Sequence, residues 1–348
     1  MELKNEIGRL FMFGFQGTEL TDDSPIVEDL YKHNLGGVIL FDKLLAKKKT
    51  ENNIKSPGQL KALTASLQHY AQSPLLIAVD QEGGLVKRLK NETGFPETKS
   101  AQELGDADDP ALTAIHAACT AASLKAVGIN LNLAPCVDLN NNPENPVIGK
   151  HGRSFSKNPE TVSRHAAIWI NEHRKQQILT CLKHFPGHGS SRTDSHLGFT
   201  DISNTWDKNE LLPFKYLIRR NLADCVMPGH LFHNEFDADY PTSLSPSIIR
   251  SVLRNDLAFD GLVITDDLQM RAITDRYGLA ESVCLALAAG ADMLIIGNNL
   301  DYDPLLLQKI IPVVLTAIDD GKIPEKRIKQ ALQRVKRLTT NCPKGDYP

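Results

Sequence analysis

No apolar run in this chain of 348 residues approaches the roughly 18 residues that a membrane span requires, so no membrane partner is expected. The opening Met1-Glu2-Leu3-Lys4-Asn5-Glu6 lacks the apolar core of a secretory signal, and a cytoplasmic location is the expectation. A basic surplus is missing too. Lys and Arg number 39 against 42 Asp and Glu, a formal charge of −3, which argues against a dedicated nucleic-acid binder. The six cysteines (Cys119, Cys136, Cys181, Cys225, Cys284 and Cys342) form no C-x-x-C pair and sit mostly in apolar stretches. They read as reduced, buried thiols rather than a metal or disulfide framework. With no linker, composition break or low-complexity segment, residues 1–348 read as a single domain. The 41% hydrophobic content is ordinary for a globular protein.

What is present is an alternation. Eight short apolar runs, 10–15, 37–41, 75–80, 129–138, 179–184, 225–230, 262–266 and 293–297, have the nearly continuous hydrophobicity of parallel strands buried on both faces. Between them lie helices with readable starts at Ser56-Pro57, Asp109-Pro110, Asn158-Pro159, Ser245-Pro246 and Asp303-Pro304, a cap followed by proline in the first turn. Further helices are expected over 280–289 and 324–338, and a kink at Pro312. Eight strand–helix repeats predict an α/β fold of the (β/α)8 TIM-barrel type. A dinucleotide-binding sheet would want a glycine-rich turn after the first strand, and Gly17 stands alone there. Residues 44–55, with Lys47-Lys48-Lys49, are polar and aperiodic and read as a solvated insertion.

In such a barrel the chemistry sits at the carboxyl ends of the strands. The third run ends in Asp80-Gln81-Glu82-Gly83-Gly84, the fifth in Lys183-His184-Phe185-Pro186-Gly187-His188-Gly189, the sixth at His230 and the seventh in Thr265-Asp266-Asp267. Singly, each has a bland reading: Asp267 as a helix cap, Asp138 as an Asx-turn acid. Their convergence on one rim with Arg88 and Arg153 speaks for a site. The loop after the fifth strand adds Asp194-Ser195-His196, whose outer two side chains share a side in an extended segment. The carboxylate then accepts from the imidazole, giving a general acid/base near neutral pH. Gly187, Gly189 and Gly198 suggest a hinged loop. Zinc held by His184, His188, Asp194 and His196 is a competing reading, opposed by Pro186-Gly187, which breaks the helix an i, i+4 pair would need. Trp169 reads as core, while Trp206 covers a loop.

Taken together, Lys183-His-Phe-Pro-Gly-His-Gly189, Asp194-Ser-His196, Ile264-Thr-Asp266-Asp-Leu-Gln-Met270, Val79-Asp-Gln-Glu-Gly-Gly84 and Gly152-Arg-Ser-Phe155 resemble the glycoside hydrolase family 3 β-N-acetylglucosaminidases of bacterial cell-wall recycling. The resemblance implies Asp266 as nucleophile and His196, held by Asp194, as acid/base. It implies Asp80, Arg88, Arg153, Lys183 and His184 as residues that hold an N-acetylglucosamine ring. An arginine often follows the Gly-Gly pair in that family; here Leu85 stands in its place. The expected activity is retaining hydrolysis of terminal N-acetylglucosamine from muropeptides or chitooligosaccharides, with phosphorolysis as the alternative. The expected partner is a small carbohydrate, with no cofactor and a monomer or weak dimer.

Overall fold

A computed structural model describes residues 3–195 and 198–340. All eight expected strands form, each shorter than its apolar run except β5: β1 (Phe11–Gly14), β2 (Gly37–Ile39), β3 (Leu76–Val79), β4 (Leu131–Asn132), β5 (Leu179–Phe185), β6 (Cys225–Pro228), β7 (Leu262–Val263) and β8 (Leu294–Ile296). They pair in parallel in the order β7-β6-β5-β4-β3-β2-β1-β8. A parallel bridge between Ile264 and Met293, just past β7 and just before β8, joins the two ends of the sheet. The result is a TIM-type barrel. The strand residues are almost all buried and form one continuous core with the inner faces of the helices, which explains why the runs carry no polar alternation.

Chemistry at the helix starts follows the sequence closely. The Asp109 carboxylate accepts from the Ala111 amide at 2.8 Å, and Asn158 accepts from Glu160 at 2.8 Å. These caps open helices Pro110–Ala126 and Pro159–Lys175, which pack side by side outside β4 and β5. Ser56 caps Pro57–Tyr70 in the same way. Trp169 is buried, as expected, and stacks on His173.

Four helices lie outside the sequence reading: Pro25–Lys32, Ala101–Ala107, Leu212–Arg219 and Arg271–Tyr277, each of seven or eight residues and therefore weak in periodicity. Asp267 does not cap a helix. The last of these helices starts four residues later, and Asp267 instead accepts from the Gln269 and Gly297 amides at 3.0 and 2.9 Å, pinning a turn. The 44–55 insertion is only partly a solvated loop. Asn52 and Asn53 are buried and donate to the Phe15 carbonyl at 3.0 and 3.1 Å, while Ile54 enters the core. Among the described residues no helix is long and apolar enough to cross a membrane.

Candidate active site

The strands deliver their polar ends to one cavity of about 520 Å³, walled by Asp80, Arg88, Arg153, Lys183, His184, Asp194 and Asp266. These are seven of the eight expected site residues. The eighth, His196, lies outside the described residues.

One wall is a charge network. Asp80, just past β3, accepts from Lys183 Nζ at 2.8 Å and from Arg88 at 3.5 Å. Two residues on, Glu82 accepts two bonds from Arg153, at 2.7 and 2.8 Å, and lies 2.7 Å from Lys183 Nζ. Glu82, Arg153 and Lys183 are all buried. Burial by itself would neutralise such groups. Opposed to it, Arg153 and Lys183 hold the Glu82 carboxyl well below the usual range, and Lys183 with Arg88 lowers that of Asp80. The same pairs lift Lys183 and Arg153 above their ordinary values against burial. The wall therefore carries fixed charges whose positions are set by one another.

Behind it sits Asp138, completely buried at the end of the fourth apolar run. Its carboxylate accepts from the His184 ring at 2.7 Å, from the His184 and His188 amides, and from the Cys136 thiol at 3.1 Å. Burial favours the neutral acid, but the His184 ring and its hydrogen bond prevail and bring Asp138 to about 2. Arg153 Nη2 approaches His184 Nε2 at 3.2 Å. A guanidinium can only donate, so Nε2 accepts and the proton sits on Nδ1, facing Asp138. Asp138 is thus an organiser of the β5 loop rather than a turn acid. Its charge at the end of an apolar run was the available signal. Glu82 also goes beyond the expected set, although it lies in the same motif as Asp80. So does Asp42, which pairs with Lys90 at 2.5 Å and lines the cavity.

The β5 loop is two-sided. Residues 185–191 are buried, whereas Arg192 and Thr193 are exposed and Asp194 reaches the cavity wall. Gly187 and Gly189 are not hinges. A Cβ on Gly189 would stand 1.6 Å from the Leu139 carbonyl oxygen, and one on Gly187, at φ +130°, would strike Glu210. They are glycines because the loop is pressed against its surroundings. His188 has Nδ1 2.8 Å from Ser191 Oγ and Nε2 3.2 Å from Ser195 Oγ. Burial first, then His184, lowers its pKa to about 4, so it is neutral at pH 7.

Both ring nitrogens of His188 thus face serines, which differs from the zinc arrangement considered for His184, His188, Asp194 and His196. Among the described residues, the group with metal-ligand composition is Cys136, Asp138 and His184. Its atoms are drawn together by hydrogen bonds of 2.7 and 3.1 Å, closer than the roughly 3.3–3.8 Å that separates ligands around a tetrahedral zinc.

Asp266 follows β7. One carboxylate oxygen accepts from the Asp267 amide at 2.8 Å, and the group faces the cavity. The turn beneath it is held by Asp267 and by His230, whose Nε2 lies 2.9 Å from the Asp267 carbonyl oxygen.

The glycosyl hydrolase family 3 N-terminal domain model matches residues 2–338. The β-hexosaminidase of Tolumonas auensis is 38% identical over 294 residues, covering 83% of this chain and 82% of that protein. β-Hexosaminidase A of Pseudoalteromonas piscicida is 30% identical over 343 residues, 91% of this chain but 55% of the relative. Among solved structures, a glycoside hydrolase family 3 β-N-acetylglucosaminidase from Paenibacillus sp. superposes with a TM-score of 0.89 at 33% identity, covering 100% of this chain and 64% of that one. The β-N-acetylhexosaminidase of Beutenbergia cavernae gives 0.86 at 27% identity, with 98% and 99% coverage. The chain therefore spans 55% and 64% of the Pseudoalteromonas and Paenibacillus proteins, and nearly all of the Beutenbergia one. A barrel of this topology, a strand-end cavity walled by these motifs and a family match over almost every residue lead to one conclusion: the chain belongs to glycoside hydrolase family 3.

Proposed function

We propose that this chain is a retaining β-N-acetylhexosaminidase that releases terminal N-acetylglucosamine. The observation that carries the reading is the arrival of Asp266 and Asp194, from the loops after β7 and β5, on the wall of the cavity that Asp80, Arg88, Arg153 and Lys183 also line. Retaining glycosidases need a nucleophile and a proton donor about 5 Å apart across the scissile bond. Asp266 is assigned as the nucleophile. Its carboxylate attacks the anomeric carbon while the bond to the leaving oxygen breaks, and the imidazole of His196 gives that oxygen its proton. In the second step the neutral imidazole takes a proton from water as the water displaces Asp266. Asp194 holds the ring and stabilises its charged form. Asp80, Arg88, Arg153, Lys183 and His184 hold the sugar. Because the wall charges are already positioned, hydrogen bonds to hydroxyls need little reorganisation when the substrate arrives.

The same reading takes residues 1–348 as one working barrel, cytoplasmic, monomeric or weakly dimeric, acting on muropeptides or chitooligosaccharides. Asp266→Ala is expected to cost roughly 10⁴- to 10⁶-fold in kcat. A fluorinated sugar should label the peptide containing Asp266, and a label on another peptide overturns the nucleophile assignment. Running p-nitrophenyl β-N-acetylglucosaminide with and without phosphate tests the acceptor. Accumulation of the sugar 1-phosphate would replace hydrolysis by phosphorolysis.

A further inference from the structure

Glu210 is a buried acid that the cavity lining does not account for. Glu210, fully buried, opens no cavity and pairs with no cation among the contacts it makes. Its Oε2 accepts from the Gly189 amide at 3.1 Å, and its Oε1 from the Asp207 amide at 3.3 Å, closing a capping box over the short turn Lys208–Leu211. Four residues earlier, the Trp206 indole donates to the Pro186 carbonyl at 3.2 Å. One short segment thus grips the β5 loop on both sides of His188, once at an acceptor and once at a donor.

This segment is itself mounted firmly. Asp201 bridges to Phe232 in the loop after β6, and the Trp206 ring packs edge-on against His233 and Phe236. Gly187 has no room for a side chain because Glu210 fills the space. The buried half of the β5 loop is consequently held from two directions: by Asp138 from the β4 side and by Trp206 with Glu210 from the β6 side. Downstream of this grip the loop turns outward at Arg192 and Thr193 and continues to Asp194.

We propose that Trp206 and Glu210 form a clamp that sets the position of the acid/base loop, with Glu210 a positioning residue for the reaction. The inference rests on the reading that Asp194 and His196 serve proton transfer. The charge state of the acid bears on the clamp. Burial, helped by Asp138, pushes Glu210 up to about 7, against the hydrogen bond it accepts from the Asp207 amide. Of the groups facing it from the β4 and β5 loops and from its own turn, Asp138 is the one whose charge adds to the shift. A carboxylate holds two amides more strongly than the neutral acid does, so the grip tightens as pH rises through 7 and slackens as pH falls below it.

The test separates clamp from chemistry. Amide hydrogen exchange of the peptide covering 186–195, corrected for the intrinsic pH effect, should be slower at pH 8 than at pH 6 in the parent protein. Glu210→Gln should exchange faster and lose that difference, because a carboxamide cannot accept from both amides and does not titrate. Trp206→Phe, which removes one bond and keeps the ring, should give a smaller rise and serves if the first variant fails to fold. With p-nitrophenyl β-N-acetylglucosaminide, Glu210→Gln should lower kcat roughly 10- to 100-fold by loop misplacement, with KM within about twofold. Its kcat profile should lose a step near pH 7. Unchanged exchange in both variants overturns the clamp, whatever the activity. A changed exchange with a superimposable kcat profile overturns the positioning role alone.

Discussion

Two halves of one cavity are built by opposite means. On the β3 side, Asp80, Glu82, Arg153 and Lys183 neutralise and fix one another through salt bridges of 2.7–2.8 Å in a buried setting. On the β5 side, the loop that reaches Asp194 is gripped mostly through its backbone, by the carboxylates of Asp138 and Glu210, the Trp206 indole and the Asn145 amide, and Arg192 and Thr193 beyond that grip are exposed. In the proposed reaction the first half is the wall that holds the sugar and the second leads to the segment that carries the proton. Fixed charge gives rigidity, since breaking any pair strands a buried ion. A neutral hydrogen bond, such as that of the Trp206 indole to the Pro186 carbonyl, costs less to exchange with water, typically about 0.5–1.5 kcal/mol.

The first test falls on the β5 half. Asp194→Asn is expected to lower kcat on the order of 10²- to 10⁴-fold, the scale of general acid/base catalysis, while leaving the melting temperature almost unchanged. Steady-state kinetics together with a thermal melt would check this. A large loss of stability would place Asp194 among the fixed groups instead. The rigid half should respond the other way. Glu82→Gln leaves Arg153 and Lys183 buried with one partner fewer, so a destabilisation of about 3–5 kcal/mol is expected in urea unfolding, together with weaker substrate binding.

A smaller effect distinguishes the anchor that both halves share. The Asp138 carboxyl is depressed to about 2 in the folded chain, against roughly 3.9 when unfolded. Its stabilising contribution is therefore complete above pH 4 and is lost as pH falls toward 2, on the order of 2 kcal/mol. Comparing the parent with Asp138→Asn over that interval should show the difference narrowing as acid is added. A constant gap would mean that the carboxylate charge contributes nothing.

How much of this was legible depended on distance along the chain. The barrel was, because Leu75–Val79 and Leu262–Ile264 are apolar on both faces and because Ser56-Pro57, Asp109-Pro110 and Asn158-Pro159 announce their helices locally. So were Asp80, Lys183 and Asp266, each a charge at the end of an apolar run, where burial without a reason is costly. Glu82 and Arg153 lie 71 residues apart, and nothing local tells either that the other is its partner. Asp138 was visible as a charge but not as the acceptor for two backbone amides 46 and 50 residues away. Gly187 and Gly189 carried a true signal with the wrong cause, since absence of a side chain serves close packing as well as it serves motion.

The closing seam of the barrel has its own implication. Between β7 and β8 stand few backbone links, and below them Asp292 accepts from the Val263 amide at 2.9 Å while pairing with Arg254 and Arg327 at 2.5 Å. Arg327 belongs to the last helix, Glu325–Thr340, which touches no part of the cavity. That helix is nonetheless a rivet for the strand ending just before Asp266. The last helix and the strand that leads to Asp266 thus share a single mechanical frame.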